Sequence, residues 1–474
     1  MTAGPEDSRL PGVRLQSVQP RGRGHRFVLY GDACSGIPGA LHERTFASVN
    51  AVVAQLDPPP EFIVFPGDEI TGLTRDEAAL REQWRHWFEV EMAWLDRARI
   101  SLFHTTANHT TYDPMSERVF AEVMAHLPRN GPAGQEGLSY WVRRGDLLMV
   151  FVHTLWSGLG GEGHAETEWL DATLAAHADA RHKLVVGHHP VFPVNGYAGA
   201  FQRDIGPPHA GPFWAALVRH GVLAYLCSHI LAFDVQVHDG VLQVCTAGAG
   251  TAHRMPEGVE YLHCMSAAVD DAGLRYRVHD TEGAVREALS WPIALPTDGE
   301  WRAMADGRQP APDGDRIAAG PVPAAVRAWR FTGVAAGAGT AARQTWLSAG
   351  GAGTAIAPLW IGLSGPDQRP TVSISINPNP GRSPHYWFGP ALAPGEAFDL
   401  TLALHGGMGP GGVLMRQGTG GPWSTLQGAS AAGPEALAAL PWWIVGHGDG
   451  GPEDRPFLGR DLAVRTVLAP QPDP

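Results

Sequence analysis

Charge is scarce in this 474-residue chain and lysine is nearly absent: charged residues make up 18%, and Lys183 is the only lysine among 35 basic residues. The 48 acidic residues leave a formal net charge of −13. No dense Lys/Arg run occurs, which argues against nucleic acid or an anionic membrane as the main partner, because both demand a basic footprint. Cysteine is sparse as well. Cys34, Cys227, Cys245 and Cys264 lie far apart without CxxC spacing, which excludes a disulfide scaffold and a structural zinc knuckle. No uninterrupted apolar run reaches the roughly 18 residues of a membrane span, and the opening MTAGPEDSRLPGVRLQS has no apolar leader core. A cytoplasmic protein without membrane contact is therefore expected. HExxH and GxSxG are both missing, so neither a helix-borne zinc protease nor a nucleophile-elbow hydrolase is indicated.

Apolar residues, at 44%, suffice for several cores, and the length suggests roughly two or three domains. From about Arg26 to Asp280, strand-like runs (RFVLYGD, EFIVFPGD, DLLMVFVHT, HKLVVGHHP, VLAYLCSH, VLQVCTAG) alternate with helical stretches at 74–98, 164–180 and 211–221. That alternation predicts a layered α/β domain. After an N-terminal tail (1–25), the α/β domain is expected over 26–294. The Pro/Gly/Asp-rich stretch 295–326 reads as a linker. Short alternating strands with turn residues then predict an all-β sandwich over 327–474.

Five strand ends carry polar residues able to act together: Gly31-Asp32, Gly67-Asp68, Asn108-His109, His188-His189-Pro190 and Ser228-His229. One aspartate after a strand usually forms a turn. Five such segments in one α/β region point instead to a metal site, since Asp, Asn and His are hard or borderline ligands and strand ends hold them rigidly beside open loops. Phosphate ester hydrolysis needs that chemistry: cations neutralise phosphate oxygens and lower the pKa of water, and a carboxylate can bridge two of them.

In order and context these segments resemble the calcineurin-like metallophosphoesterase superfamily, whose pattern runs DxH, GDxx, GNH(D/E), a downstream His and GHxH. The resemblance covers roughly Phe27 to Asp280. It implies a four-layer α/β/β/α sandwich and a phosphoesterase acting on a phosphorylated small molecule, a monoester or a diester. It also implies one or two divalent ions, with Mn, Fe, Zn and Co not distinguished. By the same resemblance Asp32 matches a first-metal ligand and Asp68 the bridging carboxylate. Asn108, His188 and His229 match second-metal ligands, and His109 the histidine that contacts substrate and protonates the leaving group.

Three departures stand out. DxH reads Asp32-Ala33-Cys34, GHxH reads Ser228-His229-Ile230-Leu231, and Thr110 follows Asn108-His109 in place of an acid. Cys34 is either a thiolate ligand, since a nearby cation lowers a thiol's pKa, or a small buried residue. Glu69, His153 and Asp234 are the nearest candidates for a substitute ligand. Three outcomes stay open: a single ion at the second position, two ions with borrowed ligands, or a site that binds without turnover. The last would make the chain a non-catalytic or chemically divergent binding protein on the same fold. The glycine-rich LWSGLGGEG between His153 and His164 reads as a flexible loop, and His189 as a neighbour of the site or a packing residue.

Pro441 to Thr466, PWWIVGHGDGGPEDRPFLGRDLAVRT, resembles the closing strands of laminin-G-like or concanavalin-A-like jelly rolls. That resemblance implies a carbohydrate or protein ligand. Trp387, Trp442 and Trp443 could form a stacking platform, with core burial the commoner use of such tryptophans.

Overall fold

A computed structural model describes residues 14–155, 163–194, 205–251, 261–304, 307–310, 325–340, 343–349, 359–374, 385–428, 442–447 and 455–474. Two six-stranded mixed sheets organise the N-terminal part. In the first, Gly24–Leu29, Phe62–Phe65 and Ser101–His104 run parallel, and His263–Asp270, Gly273–Asp280 and Val285–Trp291 extend the sheet antiparallel from the first of these strands. In the second, Leu147–Phe151, His182–Val186, Ala224–Cys227 and Val241–Thr246 run parallel between antiparallel edges at Tyr140–Arg144 and Phe233–His238.

The alternation of apolar residues decides which face packs where. Leu147, Met149 and Phe151 join the core shared with Phe27, Leu29, Phe65 and Phe103 of the first sheet. Leu148 and Val150, one residue out of phase, join Leu170 and Leu174 of the helix Thr167–Ala176 and Phe213 and Leu217 of the helix Pro207–Arg219. A period of two thus buries both faces of one strand. On the first sheet's side, Phe46 and Val49 of the helix Leu41–Ala54 and Leu80 and Trp84 of Glu77–His86 enter the same core as the sheet.

The helix expected over 74–98 is α-helical only over Glu77–His86 and continues as a π turn, Trp87–Glu91. Such a turn inserts an extra residue, and it recurs at functional sites. Trp87 packs against Phe46, Phe65 and His104, while Glu91 accepts from Ser35 Oγ at 2.5 Å and Gly36 N at 3.1 Å. The π turn therefore clamps the loop that leaves the first strand.

Beyond residue 300 the described chain forms two antiparallel sheets. One orders Arg302–Met304, Arg460–Pro470, Ala325–Val334, Ala397–His405, Val413–Gln417 and Ser424–Thr425. The other orders Gly307–Pro310, Trp442–Val445, Gln344–Ala349, Leu359–Ser364, Arg369–Ile374, His385–Phe388 and Gln427–Gly428. Two of these strands, 302–304 and 307–310, fall within the linker expected at 295–326, of which 305–306 and 311–324 lie outside the described residues. Composition hid them, because short edge strands with Arg, Gly and Pro carry little apolar signal.

The six-stranded sheet is buried on both faces. Trp329, Phe331, Leu402 and Val464 face the seven-stranded sheet, whereas Val326, Ala328, Ala403, Leu414 and Val467 join the core of the α/β part. Val237 N donates to Thr425 Oγ1 at 2.9 Å across the same junction. The two parts therefore share a core.

Trp387 and Trp443 lie inside that sandwich, 1% and 4% exposed, Trp443 against Trp329 at 5.6 Å. This corrects their use as a stacking platform; the side chain of Trp442 lies outside the described residues. Trp387→Ala is expected to destabilise the protein by about 3–5 kcal/mol, read as a lower urea midpoint. No helix among the described residues is long and apolar enough to cross a membrane.

Candidate metal centre

The C-terminal ends of the parallel strands of both sheets meet at one place. Asp32, Asp68 and Asn108 follow strands of the first sheet, and His188 and His229 follow strands of the second. Crevices beyond the carboxyl ends of parallel strands are where α/β sheets bind ligands. Backbone strain gathers here: Asp32 (φ 60°), Cys34 (φ 43°), Asp68 (φ 57°) and His229 (φ 73°) all occupy the left-handed region. Non-glycine residues persist there only where surrounding structure holds them. Gly67, at φ 98°, permits the close approach, since a Cβ on it would sit 2.8 Å from His188 Nδ1.

At the centre, Asn108 Oδ1 lies 2.9 Å from His188 Nε2 and 3.0 Å from His229 Nδ1. Those nitrogens are 3.2 Å apart, and Asp68 Oδ2 is 3.4 Å from His188 Nε2. Ligands on bonds of about 2.0–2.1 Å stand roughly 2.9 Å apart around an octahedral ion and roughly 3.4 Å apart around a tetrahedral one. The donor set fits a divalent cation of that bond length. His188 Nδ1 donates to Pro66 O at 2.8 Å, which leaves Nε2 to point its lone pair at the group, the usual way a second hydrogen bond orients a ligating imidazole.

Electrostatics also call for positive charge. Burial pulls the His188 imidazolium down, but the Asp68 carboxylate more than compensates and raises it to about 9. Burial likewise opposes ionisation of Asp68, yet the His188 and His109 imidazoles hold its carboxyl well below the usual range. Asp32 is raised to about 6 by burial and by Asp68. In the ion-free protein the raised His188 adds stability that is full below its unfolded value of about 6.5 and lost as pH rises through about 9. Its folded form binds the extra proton, so unfolding becomes easier with rising pH. The chelated protein is thus expected to lose urea resistance between those limits. Because His188 must shed its proton to offer Nε2, ion binding near pH 7–8 should release roughly one proton, measurable by calorimetry in buffers of different ionisation heat.

Cys34 joins Asp68 and His109, and Asp32 joins Asp68 and His188, with ligand atoms within 4.8 Å of one another in each group. The Cys34 thiol is pushed well up by burial and by Asp68 and Asp32, so it holds its proton without a cation beside it. Asp32 Oδ2 accepts from Ser228 Oγ and from His229 N, the latter at 2.9 Å. Thr251 donates through its hydroxyl and its N–H to Asp32 O. Thr251 carries no signal in the sequence, whereas Ser228 stands where the pattern has glycine.

The substitute ligands lie elsewhere. Glu69 Oε1 pairs with His104 Nδ1 at 2.7 Å, both fully buried; burial raises Glu69 and drives His104 down to about 3. His153 Nδ1 meets Thr106 Oγ1 at 2.5 Å, and Asp234 accepts from Gln236 at 2.7 Å. Among the described residues none of the three belongs to a group of ligand atoms. Of LWSGLGGEG, residues 156–162 lie outside the described residues. His109 N donates to Asp68 Oδ1 at 3.0 Å, and His109 Nδ1 donates to Thr71 O at 2.8 Å.

No family profile matches the sequence, and no curated protein is similar to it. Among solved structures the chain is similar to a purple acid phosphatase from yellow lupin (Lupinus luteus) seeds, at 13% identity and a TM-score of 0.43 over 60% of this chain and 59% of that one, less than two thirds of its length. A dimetal phosphatase from Danio rerio gives 13% identity and 0.39 over 54% and 96%. The anchor in the inner membrane complex of Plasmodium gives 13% and 0.38 over 58% and 90%.

Proposed function

We propose that the chain is a metal-dependent phosphoesterase that hydrolyses a phosphomonoester or phosphodiester of a small molecule, on a four-layer α/β/β/α fold closed by a laminin-G-like or concanavalin-A-like sandwich. One observation carries the reading: Asp68, Asn108, His188 and His229 hold donor atoms 2.9–3.4 Å from their neighbours. A divalent ion bound there would neutralise phosphate oxygens and lower the pKa of the attacking water. Asp32 and Cys34 border a second position beside Asp68.

The chain's own residues do the rest. Thr71 O accepts from His109 Nδ1, which leaves Nε2 as the ring nitrogen able to pass a proton to substrate. From there it can protonate a departing alkoxide, which is otherwise a poor leaving group. The Asp68 contact to His109 N ties this acid to the carboxylate between the two positions. Gly72 supports the arrangement: at φ 54°, its added Cβ would fall 1.5 Å from His109 O. Gly72→Ala is expected to displace His109 and lower kcat about 10²-fold, as steady-state kinetics would show.

A second reading, a binding protein without turnover, draws on Leu231, which offers no ligand atom, and on Cys34, whose thiol holds its proton. It predicts that a folded His109→Ala protein keeps its biological function. Assays of phosphomonoester and phosphodiester panels with Mn, Fe, Zn or Co decide between the two.

A further inference from the structure

The His189 side chain is fully buried next to the candidate centre and has no place in the motif that the sequence resembles. Its ring lies 4.6 Å from that of His229 and 4.9 Å from that of His188. One ring nitrogen from each of the three lies within 4.8 Å of the other two. His189 Nδ1 is held by Thr154 Oγ1 at 2.9 Å. Nε2, inaccessible to water, has no hydrogen-bond partner among the described residues. A buried imidazole nitrogen left unsatisfied is costly, and an apolar side chain would fill the space without that cost.

We propose that His189 is a third imidazole of the metal centre, so that the chain holds one divalent ion on His188, His189 and His229, with Asn108 Oδ1 beside them, instead of two ions. The inference rests on the metal-dependent reading above and narrows it. It agrees with the opposite side of the site. There Leu231 replaces an expected imidazole, and Asp32 Oδ2 is engaged by Ser228 Oγ and His229 N. Ligand atoms lost at the first position are thus matched by one gained beyond the second. Ligation through Nε2 places the ring proton on Nδ1, where Thr154 Oγ1 accepts it. The main-chain N–H groups of His188 and His189 also reach that oxygen, each at 3.2 Å.

X-ray absorption of the zinc-loaded wild-type chain counts imidazoles directly, and elemental analysis counts ions. One ion with three imidazoles is expected. Two imidazoles, or two ions per chain, would overturn the inference while leaving the metal-dependent reading intact. A chain that takes up no ion would remove both. In parallel, His189→Phe that keeps the wild-type circular dichroism should bind zinc at least about tenfold more weakly in chelator competition; unchanged affinity would contradict the assignment. The spectroscopy uses wild-type protein, so the result stands even where the variant does not fold.

Discussion

Asp68→Asn is expected to abolish measurable phosphoester hydrolysis, lowering kcat/KM by about 10³-fold or more, since charge stabilisation at such a centre supplies several kcal/mol and each 1.36 kcal/mol is about tenfold. The carboxylate sits among His188, His109 and Cys34, so in the proposed centre removing its charge would take away the negative charge that offsets a cation beside His188. Retained ions should fall with activity. The fold should survive, because an amide keeps the shape of the carboxylate and can still accept the His109 N–H contact at Oδ1. Circular dichroism with elemental analysis of the same sample separates these outcomes. A folded variant with full ion content and full turnover would remove Asp68 from the mechanism.

His109→Ala carries the next largest effect, and its pattern matters more than its size. A general acid contributes typically 10²–10⁴-fold, but only where the leaving group needs a proton. With an alkyl phosphate the variant should lose about 10²-fold or more in kcat. With a nitrophenyl phosphate, whose phenolate leaves unaided, the loss should be small. Ion content should not change, because the His109 side chain is anchored through Thr71 O and not among the donors around Asn108. Equal losses on both substrates would point to lost positioning instead of lost proton donation.

The candidate segments were legible in the sequence because each follows a short apolar strand, and strand ends are where rigid polar groups can converge. Asp32, Cys34, Asp68, Asn108, His109, His188 and His229 lie near one another at the strand ends. What the sequence hid depends on contacts across the fold. Ser228 and Thr251 act through hydroxyls on Asp32, a role without any local pattern. Glu91 reaches Ser35 from a π turn that begins at Trp87, which the aromatic spacing of Trp84, Trp87 and Phe88 did not distinguish from an ordinary helix. His189 is indistinguishable in sequence from a packing residue.

The junction of the two parts was hidden for another reason. Val326 and Ala328 alternate with Trp329 and Phe331 as a two-sided buried strand would, but periodicity does not say which neighbour covers each face. Within the expected linker, Arg302–Met304 and Gly307–Pro310 pair with Arg460–Pro470 and Trp442–Val445, more than 130 residues away.

The most direct measurement is turnover against ion content in a single preparation. The protein is stripped with chelator, reloaded with Mn, Fe, Zn or Co, and assayed on phosphomonoester and phosphodiester panels alongside Asp68→Asn. Hydrolysis that returns with the ion, scales with its occupancy and is missing from the variant is the predicted result. Full occupancy with every metal and no turnover on any substrate would contradict a phosphoesterase and leave a binding protein.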